Sequence, residues 1–376
     1  MLSGLVSSHG ASVAGLLANM ATESSVIFLP LFATELGASR LQVGIIGGAY
    51  GVAFLLSSLA FSRRADVKGR LPLVRVGLGL GTVAFAVQTL VGDPFTLMLA
   101  RALVGFCLGI SSAALMAYNY EMGAGTGRFA SFGSLGWLLA AVAALVLQSY
   151  HRLFLFSSVS CGLAFAISLP LRENGSRFTM TATTLEVVRR NLRLYSSFFL
   201  RHLGANMVWV VFPLFLASLW ASKAWIAVIS GINTGGQFIA MMFVEKLRRS
   251  RLFRLGLLLS VLVFLAYSQV TRYTQVMPVQ LLLAVAWSCL YVGALLLLLK
   301  KNEERATSVG FLFSLISLTA AVGPFLGGLV AQFWGYSVLM YIAAGLCGAG
   351  LGIATMRGGG QQGDDPVASP AGEKLY

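Results

Sequence analysis

The chain has 376 residues, 57% of them apolar and only 11% charged, with a net charge of +14. A soluble domain carries ~25% charged residues, so a chain of mean hydropathy +0.82 cannot bury its surface in one aqueous core, and lipid must solvate much of it. The basic excess falls in short clusters between apolar stretches, which excludes the continuous basic face of a nucleic-acid binder.

A membrane span needs ~20 mostly apolar residues to cross ~30 Å of hydrocarbon. The first such run covers residues 11–35, and no Lys or Arg precedes it, so it is expected to be retained rather than cleaved. Near its middle stands Glu23, with Asn19 one turn earlier on the same face. An ionised carboxylate facing lipid costs several kcal/mol. Glu23 is therefore expected to face the protein interior, either as a protonatable coupling or substrate-binding group or as a hydrogen-bonded structural one. The second run, 41–62, carries Tyr50 and a face of Gly44, Gly47, Gly48 and Gly51 suited to close helix packing. A basic loop with Arg63, Arg64, Asp66, Lys68, Gly69 and Arg70 follows it. Runs at 72–92 and 94–119 come next, the latter holding Arg101 and Tyr118 and leading to Glu121. Arg101 cannot lose its proton. It is expected to set the charge state of Glu23 or attract an anionic group, unless it snorkels to the outer surface.

Runs at 129–149, with Trp137, and 152–171 complete a first set of six. The basic interval 172–195 follows, and Thr184–Arg193 is expected to form a short amphipathic helix at the membrane surface. A second set of six occupies 197–220, 224–246, 252–271, 276–299, 306–332 and 336–356. Within it, His202, Asn206 and Trp209 share one helix face, as do Asn233 and Gln237, and Trp287 and Tyr291. With Asn19, Tyr50, Tyr118 and Trp137, these residues are expected to line an amphipathic cavity. The alternative is interhelical hydrogen bonding and aromatic packing within each set. Gly323, Gly327 and Gly328 let backbones approach, and Pro324 permits a bend. The polar, Gly-rich tail 357–376 is expected to be disordered.

Cys107, Cys161, Cys289 and Cys347 lie in apolar stretches without metal spacing, and His9, His151 and His202 form no zinc or triad pattern. No cofactor or metal is expected. With the N-terminus inside, only Arg40, Arg152, Lys223 and Arg272 of the 27 basic residues fall in outer loops. The positive-inside rule therefore puts both termini in the cytoplasm of a cytoplasmic-membrane protein. The two sets of six also repeat each other. At an offset of 183, Pro30-Leu31-Phe32 recurs as Pro213-Leu214-Phe215, and Ala38-Ser39-Arg40 as Ala221-Ser222-Lys223. A parallel duplication of this kind implies two all-helical bundles with a site between them near the midplane. The expected organisation is a bundle at 1–171, a linker at 172–195, a second bundle at 196–356 and the tail.

The loop Ser62-Arg63-Arg64-Ala65-Asp66-Val67-Lys68-Gly69-Arg70 is similar to the G-x-x-x-D-R-x-G-R signature of the major facilitator superfamily. Arg101, Gly105 and Gly109 resemble its R-x-x-x-G-x-x-x-G pattern, and Asn302-Glu303-Glu304-Arg305 its later cytoplasmic loop. The fifth run reads Gly133-Ser134-Leu135-Gly136, without the Gly-Pro pair of the family's proton-coupled drug antiporters. The resemblance implies a twelve-helix, alternating-access fold. It also implies an inner latch, with Asp66 facing the start of the eleventh helix and Arg70 pairing with Glu121. The expected function is a monomeric, proton-coupled permease for a small amphipathic or cationic organic solute, with export favoured. An uptake symporter or uniporter for a sugar or metabolite is the alternative, and an integral-membrane enzyme a more distant one.

Overall fold

The computed structural model describes residues 2–121, 126–172, 184–244, 249–302 and 305–356. Among the described residues the fold is wholly helical. In chain order the helices are α1 (Leu2–Ser24), α2 (Leu29–Glu35), α3 (Arg40–Lys68), α4 (Leu71–Val87), α5 (Pro94–Glu121), α6 (Thr126–Leu147) and α7 (Tyr150–Ser168). Then come α8 (Thr184–Trp209), α9 (Phe212–Ser218), α10 (Lys223–Val244), α11 (Arg249–Gln269), α12 (Tyr273–Lys301), α13 (Arg305–Phe333) and α14 (Gly335–Thr355). Among the described residues ten segments are long and apolar enough to cross a membrane, and the α8–α9 pair, bent by 49°, makes an eleventh. The remaining expected span corresponds to α6, whose described apolar stretch Ser131–Leu147 is shorter. The stretch expected as a separate surface helix, Thr184–Arg193, is instead the first part of α8 and runs without interruption into the span. The linker's 173–183, the tail from 357, and the side chains of Asp66 and Glu121 lie outside the described residues.

The sequence repeat reappears in the backbone. Proline cannot donate a backbone hydrogen bond, and Pro30 and Pro213 each sit in the first turn of a short helix that follows a break. Both short helices then end alike, with Ala38 N–H donating to Ala33 at 2.9 Å and Ala221 N–H to Leu216 at 3.1 Å. The turn needs a left-handed residue. Gly37 fills it in the first copy (φ 92°) and Trp220 in the second (φ 66°).

Packing follows the same duplication. In the first set α1 packs on α6 and α7, α5 on α3 and α4, and α4 on α7. In the second, α8 packs on α13 and α14, α12 on α10 and α11, and α11 on α14. The sets meet through α3 with α13 and α6 with α10. One end of the molecule, bearing Glu35, Tyr150, Lys223 and Tyr336, is held by an apolar core that draws Phe28, Phe32 and Phe154 from the first set and Phe212, Phe215 and Met340 from the second. At the opposite end the core divides. Leu71, Val74 and Tyr118 belong to one cluster, and Tyr195, Phe253 and Leu312 to another. The apolar core is thus shared between the sets at the end expected outside and divided at the end expected inside, where Ser134 of α6 still meets Met241 of α10. Dispersion and burial favour each arrangement locally, so joining only one end leaves the other free to separate without unfolding either half.

Candidate functional site

Glu23 lies in the last turn of α1, at the break before α2. Its carbonyl accepts from Val26 N–H at 2.9 Å and Ile27 N–H at 3.1 Å. The side chain is half-buried, and among the described residues its carboxylate has no hydrogen bond or ion pair. A broken helix inside a span must satisfy its freed backbone groups within protein or water, and here residues of the same chain segment do so. The repeat sets Asn206 opposite Glu23 at the same offset of 183. Asn206, by contrast, is engaged, donating to His202 O and to Thr319 Oγ1, each at 3.2 Å. Asn19 donates to Gly15 O at 2.8 Å and packs near Gly133 and Gly136 of α6.

Arg101 is 2% exposed. It donates to Ser25 Oγ at 3.0 Å, and its guanidinium carbon stands 4.6 Å from the Tyr50 ring centroid. Its Nε is buried without a partner. Arg101 therefore faces inward between α1 and α3 and does not snorkel, but it forms no ion pair with Glu23.

A second cluster gathers in the other half. His202 and Trp287 stack at 5.1 Å with rings tilted by 22°, and Trp287 stacks on Tyr291 at 5.2 Å and 16°. All three are half-buried, and His202 Nδ1 has no partner. Arg201, which the residue pattern marks only as a charge inside a span, stands 5.1 Å from the Trp287 ring centroid. Asn233 and Gln237 form a third group. Gln237 Nε2 donates to Asn233 Oδ1 at 2.6 Å, and Asn233 Nδ2 to Gln280 O at 3.2 Å. Trp209 is held in an aromatic core against Phe212 and Phe264. Tyr118 is fully buried and donates to Arg172 O at 2.9 Å. Trp137 is half-buried on α6.

The glycines set how closely the halves approach. A Cβ on Gly44 would fall 2.5 Å from Pro324 O, and one on Gly328 2.8 Å from Gly44 Cα. Gly323 and Gly327 do the same within the second half, against Asn206 and Met207 of α8. Of the signature loop, Gly69 takes φ 98°, which suits glycine, and Arg70 opens α4.

Charges that the sequence pattern does not pair bridge the joined end. Glu35 accepts from Tyr150 Oη and from Lys223 Nζ, the latter at 3.4 Å. The Lys223 ammonium lies 3.9 Å over the Tyr150 ring. Arg40 donates from Nη1 to Ala331 O at 3.0 Å and from its backbone N–H to Gln332 Oε1 at 3.1 Å, and stacks over Tyr336. Glu35 and Lys223 are 57% and 34% exposed, so the pair is worth ~0.2–1 kcal/mol. Lys223→Ala is expected to raise the accessibility of this end two- to fivefold, read as the rate at which an impermeant maleimide labels a cysteine placed at Leu31. An unchanged rate would mean that the apolar core alone holds the end shut.

A model of the Major Facilitator Superfamily matches residues 11–190 and 194–370. The crystal structure of the nucleoside transporter NupG superposes with a TM-score of 0.75 at 13% identity, covering 95% of this chain and 100% of that one. A point mutant of NupG gives 0.75 over 92% and 98% of the two chains. A bacterial homologue of the human lysosomal transporter Spinster, inward-facing and unoccupied, gives 0.68 at 13% identity, covering 94% of each chain. At such identities the likeness is one of fold. No curated protein matches the sequence.

Proposed function

Since the chain belongs to the major facilitator superfamily and is a secondary transporter working by alternating access across a membrane, we propose that the proton gradient drives it through Glu23. Its cargo is a small organic molecule bound between two six-helix bundles, residues 1–171 and 196–356, and export is the working direction. Both termini face the cytoplasm, and the closed end bearing Glu35 faces out. The protein works as a monomer in the cytoplasmic membrane, without a cofactor.

One observation carries the reading. The carboxylate at mid-span depth, Glu23, sits at a helix break with no protein partner among the described residues, whereas its repeat counterpart Asn206 is bonded. A carboxylate held in a low-dielectric interior gains much from taking up a proton. An unpaired one can exchange that proton as each side opens in turn, because no ion pair among the described residues holds it ionised. The half-buried Trp287, Tyr291, His202, Tyr50 and Trp137 offer flat surfaces for an organic body, with Asn19, Asn206, Asn233 and Gln237 as polar contacts.

The test is solute flux in proteoliposomes under an imposed pH gradient, with and without a protonophore. The protonophore is expected to reduce net flux at least tenfold while leaving solute exchange intact, and the sign of the flux reads out the direction. Net flux indifferent to it would overturn proton coupling.

A further inference from the structure

Arg201 is 1% exposed and is the largest fully buried side chain of the molecule's described residues. It sits in α8 at the level of Ser260 in α11 and Trp287 in α12. A guanidinium keeps its charge in any such setting. Among the described residues that charge has one hydrogen bond, from Nε to Ser260 Oγ at 3.0 Å, the face of Trp287, and the Cys347 thiol of α14 nearby. Among the described residues both terminal nitrogens are left without a protein partner, and no carboxylate lies within ion-pair distance.

The sequence shows why. Besides Glu186 in the first turn of α8, far along the helix from Arg201, the only carboxylates across 184–363 are Glu245, Glu303 and Glu304. No span of the second half carries an Asp or Glu that could neutralise Arg201. A buried, unpaired charge costs several kcal/mol, and a desolvated cation–π contact returns ~2 kcal/mol. The counter-charge has to come from outside this half.

The surroundings suit a ligand. The neighbouring His202 packs on the same indole, with its Nδ1 unpartnered. The Trp287–Tyr291 stack is only half-buried, so part of its surface is accessible beside the cation, although His202, Phe198 and Arg201 also pack on the indole. Asn206 lies one turn along from His202. Arg101 also lacks an ion pair, but its half contains Glu23 as a carboxylate at span depth. The asymmetry singles out Arg201.

We propose that Arg201 binds an anionic group of the cargo, a carboxylate or phosphate ester, while the Trp287–Tyr291 stack receives its planar or apolar body. This rests on the reading of a transported organic solute and adds the sign of its charge, opposite to the cationic preference that the sequence suggests. The two free guanidinium nitrogens match the two oxygens of such a group, a geometry that lysine cannot reproduce.

The experiment uses the purified full-length chain and a panel of matched pairs, carboxylic acids with their amides and phosphate monoesters with their alcohols. Binding is read by melting temperature and by quenching of tryptophan fluorescence, with inorganic phosphate and chloride as separate arms. Organic anions are expected to bind at least tenfold tighter than their neutral partners. Arg201→Gln is expected to erase that difference, Arg201→Lys to weaken it severalfold, and Trp287→Phe to remove most of the quenching.

Neutral members binding as well as the anions, or an Arg201→Gln protein that keeps the preference, would overturn the proposal while leaving organic-solute transport standing. So would inorganic phosphate or chloride matching the best organic anion, which would mark a free-anion site. If Arg201→Gln fails to fold, Arg201→Lys decides, and unchanged anion affinity in it counts against the proposal. Organic anions that bind through Arg201 but are never carried across proteoliposomes would instead overturn the transport reading and leave the binding site in place.

Discussion

Glu23→Gln proteoliposomes are expected to show no net solute flux above leak under an imposed pH gradient, a loss of at least tenfold, while solute exchange at equal pH continues. In Glu23→Gln the two equivalent positions of the repeat, 23 and 206, both carry carboxamides, neutral at every working pH, so no carboxylate at span depth remains to carry the proton. Folding should survive, because the Glu23 side chain makes no contact that glutamine would break among the described residues, and the carbonyl that closes the helix break is backbone. Burial of a neutral amide is also less costly than burial of a charge. The melting temperature of the ligand-free variant is therefore expected to stay within ~2 °C of the parent, since glutamine is isosteric and no hydrogen bond or ion pair among the described residues is lost. Full gradient-driven flux in the variant would remove Glu23 from the mechanism.

The spans and the duplication were readable because lipid imposes a simple rule on the chain. Backbone groups must be satisfied locally, so each crossing leaves a long apolar run. The matched prolines at 30 and 213 then announce matched breaks, and these appear as equivalent hydrogen bonds at Ala38 and Ala221. Periodicity along one helix groups His202 with Asn206 and Trp287 with Tyr291, and His202 stacks on Trp287. It could not reveal that Trp209 packs toward Phe264 or that Tyr118 spends its hydroxyl on Arg172. A residue's face is set by spacing, but the neighbour across that face is set by tertiary packing. For the same reason α8 runs through the expected surface segment: amphipathic periodicity continues into a span without marking where the lipid begins.

Long-range charge pairing was the least readable feature. Glu35 and Lys223 are 188 positions apart, and each alone looks like an ordinary loop-end charge. Their signal lay in the repeat, since Lys223 occupies the position that Arg40 holds in the first copy, and both cations turn out to grip the opposite half. Arg201 carries a different and simpler signal, a permanent charge deep in a half whose spans hold no acid beyond Glu186 at the start of α8. Counting charges by half, rather than by loop, exposes it.

Gly51→Ala is expected to prise the two halves apart along the α3–α13 seam and to leave each half folded. A Cβ at Gly51 would fall 2.2 Å from Ala320 O and 2.6 Å from Ala321 Cα. These are backbone atoms of a helix in the other half, so no side chain can swing away to make room. Close-packed interiors do not absorb an overlap of more than an ångström, and the seam must widen. Gly327→Ala makes an equally severe overlap, 2.0 Å from Met207 O, but α13 and α8 belong to the same half. The two substitutions should therefore fail differently. Overpacking costs ~1–3 kcal/mol. In Gly327→Ala that cost falls on the folded state and lowers the melting temperature by several degrees. In Gly51→Ala it falls on the closed conformer alone, because an opened seam relieves it, and the population shifts by up to ~100-fold. The reporter is Val210→Cys, since Val210 Cγ2 lies 2.8 Å from the position a Cβ on Gly47 would take and is therefore covered by the same seam. All four native cysteines are buried, which keeps the background low. Impermeant maleimide is expected to label the Gly51→Ala, Val210→Cys protein at least fivefold faster than the Val210→Cys parent, with the melting temperature nearly unchanged. A drop in melting temperature without faster labelling would show that the seam is part of one rigid core, and that the halves do not separate there.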